Sequence, residues 1–428
     1  TIDGALEESG EILLRMRELA VQSASDTNTG TDRSFIQDEI NALNNELNRI
    51  SSSTEFNSVK LLDGTYNNKQ IQIGTGANQV FNIGVTATDS STLGAYELES
   101  VAEITASSGT ASAAAATTAL TTALADAADY TVKGSFGSAT VKVDAGADAR
   151  DVAKSFNLSA GTTGINATAI TKASITGLGK ATTISFTLQG KSTSASTVNA
   201  TVDSTSNLTA LKDAINSVSG ATGISASLTT DLSGINLVQQ EGYDIVIGDV
   251  TTSHASGTMT IKVADKSGTA QGTEQTLKGF TTADDSVAMV GQVSLSSHKA
   301  FTVASGDAAN HFATDTSAQT STLQSMGAID ISSQTGATKA LSVIDGAIAM
   351  ISEVRSEMGA AENRLTSTVD NLSNVSVNTQ RSLTAVEDAN FASETSALTK
   401  AQILQQAATS MLAQANKAKQ TMLVLLQG

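Results

Sequence analysis

The sequence predicts an α+β multidomain chain in which long helices at both ends form a bundle and a coiled coil, with β-rich and small α+β modules inserted between them. Three observations lead there. Apolar residues recur at alternating steps of three and four from Ile2 to Ile50 and again from Thr338 to the end. Between these stretches the apolar period falls to two around Gly and Asn turns. Part of the middle repeats without a gap: Val143-Asp144 recurs as Val202-Asp203, Val152 as Leu211, Phe156 as Ile215, and Thr163-Gly164-Ile165 as Thr222-Gly223-Ile224.

In chain order, Ile2, Leu6, Leu13, Met16 and Ala20 share one stripe of a first helix, and the turn formers of SASDTNTGTD stop it. Asp32 is placed to cap a second helix, whose stripe is Ile36, Ile40, Leu43, Leu47 and Ile50. The two pair across a short turn and still need a third element. From Phe56 the apolar residues Val59, Leu61, Ile71, Ile73, Val80, Phe81, Ile83 and Val85 read as short strands, so residues 1–99 form the N-terminal half of a helical bundle with a small sheet. Residues 100–325 form a Ser/Thr/Ala/Gly-rich outer region. It carries a helix pattern at 111–128, tandem α+β modules at about 130–190 and 191–250, and further strands at 245–250, 259–263 and 301–303. Each module reads as strand, short helix, Gly turn, strand. Residues 326–390 return to a long helix, with Leu341, Ile344, Ile348, Ile351, Met358, Leu365, Val369, Leu372, Leu383 and Val386 at three-four spacing, and this helix completes the bundle.

The final segment, 391–428, is a helix with a seam: Ala401, Leu404, Ala408, Met411, Ala415, Ala418, Met422 and Leu425 form an unbroken heptad repeat. An apolar stripe of that kind does not stay alone in water. Two readings stay open on the spacing itself. Either the helix packs on its own domain, or its partner lies in other subunits or in a segment upstream of Thr1, where the sequence begins within a helical pattern.

Composition removes several functions. The chain of 428 residues holds no Cys, so disulfides, thiolate metal sites and cysteine nucleophiles are excluded. A net charge of −17 argues against nucleic acid as a partner. No apolar run is long enough for a membrane span. His254, His298 and His311 stand in no metal-ligand spacing. GTGAN (74–78) and GLGK (177–180) match no phosphate-binding loop and read as turns, no GxSxG elbow occurs, and Asp284-Asp285 and Asp307 lack calcium-loop spacing. No cofactor, metal or catalytic residue is expected, and the chain reads as a non-enzyme. Arg15, Glu18 and Gln22 fall on one helical face beside Leu13; as a bare pattern this is a solvated face.

LLRMRELAVQSAS (13–25) and IQDEINALNNELNRISSSTEFNSVKLLDG (36–64) resemble the N-terminal signature of bacterial flagellin, and NTQRSLTAVEDANFASETSALTKAQILQQAATSMLAQAN (378–416) resembles its C-terminal one. INATA (165–169) and ISASL (224–228) are similar to modules of flagellins and hook-associated proteins. The resemblance implies an extracellular, secreted filament subunit for motility, whose terminal helices polymerise as a coiled coil. On that basis the N-terminal core helix is missing before Thr1, and the chain as written is expected to bundle but to polymerise poorly. The implied partners are other subunits, an export chaperone gripping the Leu404, Met411, Met422 and Leu425 seam, and the filament cap and hook-associated proteins. The resemblance also implies that Toll-like receptor 5 reads Leu13, Arg15, Glu18 and Gln22 with Glu39 of the adjoining helix, Arg15 being the anchor. Leu14 stands where glutamine is common in that motif, and Lys419 where Pro is common. A hook–filament junction protein and a surface adhesin are the competing readings. The first class matches RMRELAVQS less well. The second needs clustered aromatics for sugar stacking, and Phe136, Phe156, Phe186, Tyr243 and Phe301 are scattered.

Overall fold

The two N-terminal apolar stripes fold as α1 (Ile2–Ala24) and α2 (Gly30–Ser53) in a computed structural model, which describes residues 1–74, 78–100, 103–106, 128–192, 194–254, 256–279, 285–305, 312, 318–388 and 390–428. The helix pattern at 111–128 falls outside these residues except for Ala128, as do His311, Asp284 and Asp307. Thr29, not Asp32, is the cap of α2. The Thr29 hydroxyl accepts from the Asp32 N–H at 3.2 Å, and the Asp32 carboxylate accepts from the Thr29 N–H at 2.9 Å, a reciprocal capping box. The hydroxyl bond from Thr29, followed by its N–H bond, holds the Asp32 carboxyl below its ordinary pKa. Arg33 reaches back to donate to the carbonyls of Ser23 at 2.8 Å and Ser25 at 2.9 Å, closing the end of α1. Turn chemistry thus ties the two helices together locally, apart from any contact with a third element.

The structure divides into two units, 1–67 with 84–358 and 68–83 with 359–428. In the first unit a mixed-order sheet is built on the long strand Asn166–Leu178. It pairs with Ile235–Gln239, Thr258–Ala264 and Gln292–Ser297. The strand Gly94–Glu99 lies between Gln292–Ser297 and Thr322–Ser325, with Glu97 opposite Ser296 and Thr322. It therefore belongs to this sheet, and not to a separate N-terminal sheet as the boundary at 99 implied. The hairpin Lys69–Gln72 with Val80–Ile83 falls in the second unit.

The internal repeat holds element by element. Its first copy is the hairpin Ala128–Lys133 and Ser138–Val143, α3 (Ala149–Leu158), the one-turn α4 (Ala160–Thr163) and the strand Asn166–Leu178. The second is the hairpin Thr182–Gln189 and Ser196–Val202, α5 (Thr209–Ser217), the one-turn α6 (Ser219–Thr222) and the strand Ile224–Leu228. The Asn157 amide donates to the Ala167 carbonyl at 2.8 Å and accepts from its N–H at 2.8 Å. Asn216 does the same to Ala226 at 2.9 and 2.8 Å. Gly164 and Gly223 end the one-turn helices at φ 74° and 70°, where a Cβ would be strained. The second copy starts at Thr182, so the division lies at 179–181 instead of near 190. Thr182–Gln189 pairs with the strand that follows it, and the alternation of period two does not reveal which side a strand joins.

Each copy has its own apolar core. Tyr130, Phe156 and Phe312 meet edge-on or tilted at 5.6–5.7 Å in the first. Phe186, Leu211, Ile215 and Ile224 anchor the second. Near the first copy, beside Asp148, one carboxyl is left short of partners. Asp244 is mostly buried, its Oδ1 accepts no hydrogen bond, and burial, then the neighbouring Asp148 charge, pushes its carboxyl up to about 7.

The third bundle element is α7 (Gln334–Glu387). Ala337, Ile344, Ala347 and Ile351 interlock with Leu6, Met16, Ile40 and Leu47 in one core. Gly346 lies against Gly94 and Ala95, where a Cβ would come within 2.7 Å of the Gly94 carbonyl oxygen, so only glycine lets helix and strand approach this closely. Past Met358, within the second unit, the three-four positions no longer mark a core: Val369, Leu383 and Val386 are exposed. That unit also contains α8 (Phe391–Leu426), which Asn390 caps through the Ser393 N–H. Its hairpin carries Phe81, over which the Arg364 guanidinium stacks at 4.5 Å.

Candidate assembly surfaces

Two surfaces follow from the folded elements. The first lies across α1 and α2. Arg15 points outward from α1, and its guanidinium Nε and Nη2 donate to Glu39 Oε1 at 3.0 and 2.8 Å, while Nη1 donates to Glu18 Oε2 at 3.1 Å. These bonds, Glu39 first, raise the Arg15 pKa further above its already high ordinary value. Salt bridges this exposed contribute little to stability. Their effect is to hold a flexible side chain in one pose. The antiparallel hairpin thus unites Arg15, Glu18 and Glu39, with Gln22 exposed two turns along the same helix. Leu13 does not join them: it is wholly buried in the bundle core, and its apolar-stripe assignment overrides its assignment to the outer face. Leu14, 53% exposed, is the apolar neighbour available on the surface.

The second surface is α8. None of its residues is buried. Leu404, Met411, Met422 and Leu425 are 59–81% exposed, and Ala401, Ala408, Ala415 and Ala418 lie between them as a flat track. A helix of this length runs about 54 Å. The structure also shows apolar surface beyond the seam: Leu412 and Leu423 lie to one side of it, and Ile403 and Val424, three heptads apart, share the other. At Met422–Leu426 the helix is apolar all round, a pattern that calls for more than one neighbour. The run MLVLL carried this signal in the sequence, but a search for a single seam passes over it.

Elsewhere the singled-out residues have ordinary packing roles. His254 Nδ1 accepts from the Ser256 N–H within a turn, and His298 stacks on Phe136 beside Glu353. Phe156, Phe186 and Phe301 are interior, so they offer no stacking face for a sugar. No helix among the described residues is long and apolar enough to cross a membrane.

Residues 1–67 match the bacterial flagellin N-terminal helical region, residues 341–426 the bacterial flagellin C-terminal helical region, and residues 183–239 the flagellin hook IN motif. The last begins where the second repeat copy begins. The chain is similar over its whole length to a B-type flagellin of Pseudomonas aeruginosa, at 32% identity and 84% of that protein, and to a flagellin of Salmonella choleraesuis, at 30% identity and 85% of that protein. Among solved structures, FliC from Burkholderia pseudomallei is similar at 16% identity with a TM-score of 0.33, covering 85% of this chain and 96% of that one.

Proposed function

The chain belongs to the bacterial flagellin family, and on that premise we propose how it assembles and what reads its surface. It is a structural subunit of the flagellar filament, an extracellular polymer. The proposal is that α8 supplies the filament core. Its exposed heptad seam, Ala401, Leu404, Ala408, Met411, Ala415, Ala418, Met422 and Leu425, packs against helices of the same family of subunits, and the all-round apolar end Met422–Leu426 takes a second neighbour. One observation carries this reading: a helix of 36 residues with no buried residue has no reason to be apolar unless another helix, of a neighbouring subunit or of a segment upstream of Thr1, covers it.

The same seam is the surface we assign to an export chaperone before assembly, since an amphipathic helix is held in a groove by its i, i+3, i+4 and i+7 anchors. Secretion through the flagellar channel and contacts with cap and hook-associated proteins belong to the same proposal. So does the bundle-plus-outer-region organisation, in which α1, α2 and the first part of α7 support variable modules. The Arg15–Glu18–Glu39 cluster with Gln22 is proposed as the face that neighbouring subunits and Toll-like receptor 5 read. Leu14 contributes its apolar edge and Leu13 acts only from within, by fixing the helix.

Sedimentation and electron microscopy of the full-length protein, native and with Leu404→Asp plus Met411→Asp, test the central claim. Loss of filaments with an unchanged circular dichroism spectrum is expected. Filaments of undiminished length from the variant refute it.

A further inference from the structure

We propose that a cleft between the outer sheet and the first turns of α7 binds a small acidic sugar, carboxylated or phosphorylated. The cavity measures about 450 Å³, within the size range of small-molecule sites. Three ammonium groups line it, those of Lys172, Lys266 and Lys339, and no carboxylate does.

The carboxylates nearby are already engaged. Glu97 accepts from Lys266 at 3.1 Å and from the Ser342 hydroxyl at 2.6 Å, and Glu99 accepts from Lys266 at 2.8 Å. Asp265 accepts the N–H groups of Ser267 and Thr269 at 2.8 and 2.9 Å inside its own turn. Lys266 faces two carboxylates, which cancel its charge and leave one negative charge in excess on that wall, whereas among the described residues Lys172 and Lys339 make no ion pair. Lys172 donates one hydrogen to the Lys266 carbonyl at 2.6 Å, and two N–H groups remain. Among the described residues, Lys339 makes no side-chain hydrogen bond or ion pair. Burial lowers the Lys172 pKa; the Asp265 charge, the next largest influence, opposes it, and the Lys339 charge adds a smaller lowering. Two ammoniums on one cleft repel each other, and an anion placed between them removes that cost. The first turn of α7, which lines the same cleft with Gln334 and Thr335, carries no acidic residue to oppose an anion at its positive end.

The rest of the lining selects the ligand's body. Gln240, Ser294 and Thr338 present amide and hydroxyl groups, which pair with sugar hydroxyls, and the lining contains no aromatic or carboxylate side chain. The volume also exceeds what a lone phosphate fills.

Titration calorimetry of the whole chain with glucuronate, glucose 6-phosphate, inorganic phosphate and glucose tests the assignment. Saturable binding of at least one acidic sugar, no binding of glucose, and weakening by about tenfold in Lys339→Gln are expected, since one charge-assisted hydrogen bond is lost. Lys172→Met should weaken it comparably. Because Lys339 holds no other group, its variant keeps the test valid even if Lys172→Met fails to fold. The proposal is overturned if neither acidic sugar binds, if glucose binds as well as they do, or if Lys339→Gln leaves affinity unchanged. Inorganic phosphate binding as tightly as glucose 6-phosphate overturns the sugar part.

Discussion

α1 and α8 are both helices with an apolar stripe, and they have opposite fates. α1 buries Leu6, Leu13, Met16 and Leu19 against α2 and α7 of the same chain; α8 buries nothing. The stripe shows that a helix needs a partner, and only the fold shows whether the partner is internal. Where it is internal, substitution costs stability. Where it is not, substitution costs assembly and leaves the subunit intact.

The largest expected effect is therefore on α8. Leu404→Asp with Met411→Asp should abolish filaments while changing the subunit's melting temperature by no more than a degree or two. A large drop in melting temperature would place the partner of α8 inside the chain. Leu13→Ala should do the reverse, lowering unfolding free energy by about 2–5 kcal/mol, the range for emptying a packed core site. Urea unfolding checks this, and a loss below about 1 kcal/mol would contradict the burial of Leu13.

Asp244 extends the contrast to the outer modules. Its folded carboxyl titrates near 7, well above the ordinary 3.8. Below pH ~4 the group is protonated folded or unfolded. Between about 4 and 7 only the unfolded chain ionises, so stability falls as pH rises through that window and then levels off. Asp244→Asn should remove the slope and stabilise the outer region at pH 8 by about 2–4 kcal/mol. Equal urea midpoints for native and variant at pH 4.5 and pH 8 would rule this out. The repeat offers a smaller, paired effect. Asn157→Ala and Asn216→Ala each lose the same two hydrogen bonds and should each cost about 1–2 kcal/mol. Markedly unequal losses would mean that the two copies are alike in shape but not in energy. Arg15→Ala should leave the melting temperature unchanged, because its partners are exposed, while weakening whatever reads that face in a surface-binding assay.

Helical content was legible wherever periodicity was local. The stripes of α1, α2 and α8 and the matched pairs of the repeat needed no distant information. Leu13 shows how two local readings compete: it sat on the apolar stripe and beside the Arg15 face, and core packing decided between them. The strand Gly94–Glu99 was not read from the sequence: its neighbours, Gln292–Ser297 and Thr322–Ser325, come some 200 positions later, and alternation does not name a partner. The lysine cleft was invisible for the same reason, since Lys172 and Lys339 meet only through the sheet. The apolar continuation of α7 past Met358 looked like the same bundle helix because its period does not change where its surroundings do.

Gly94–Glu99 and Thr322–Ser325 are hydrogen-bonded neighbours, so the chain leaves the bundle and returns to it through adjacent strands. The gap between departure and return is about 5 Å however much polypeptide intervenes. Everything between them is in effect a cassette clipped into a two-strand port. Because its two ends stay paired, a longer loop within it adds only a slowly growing entropy.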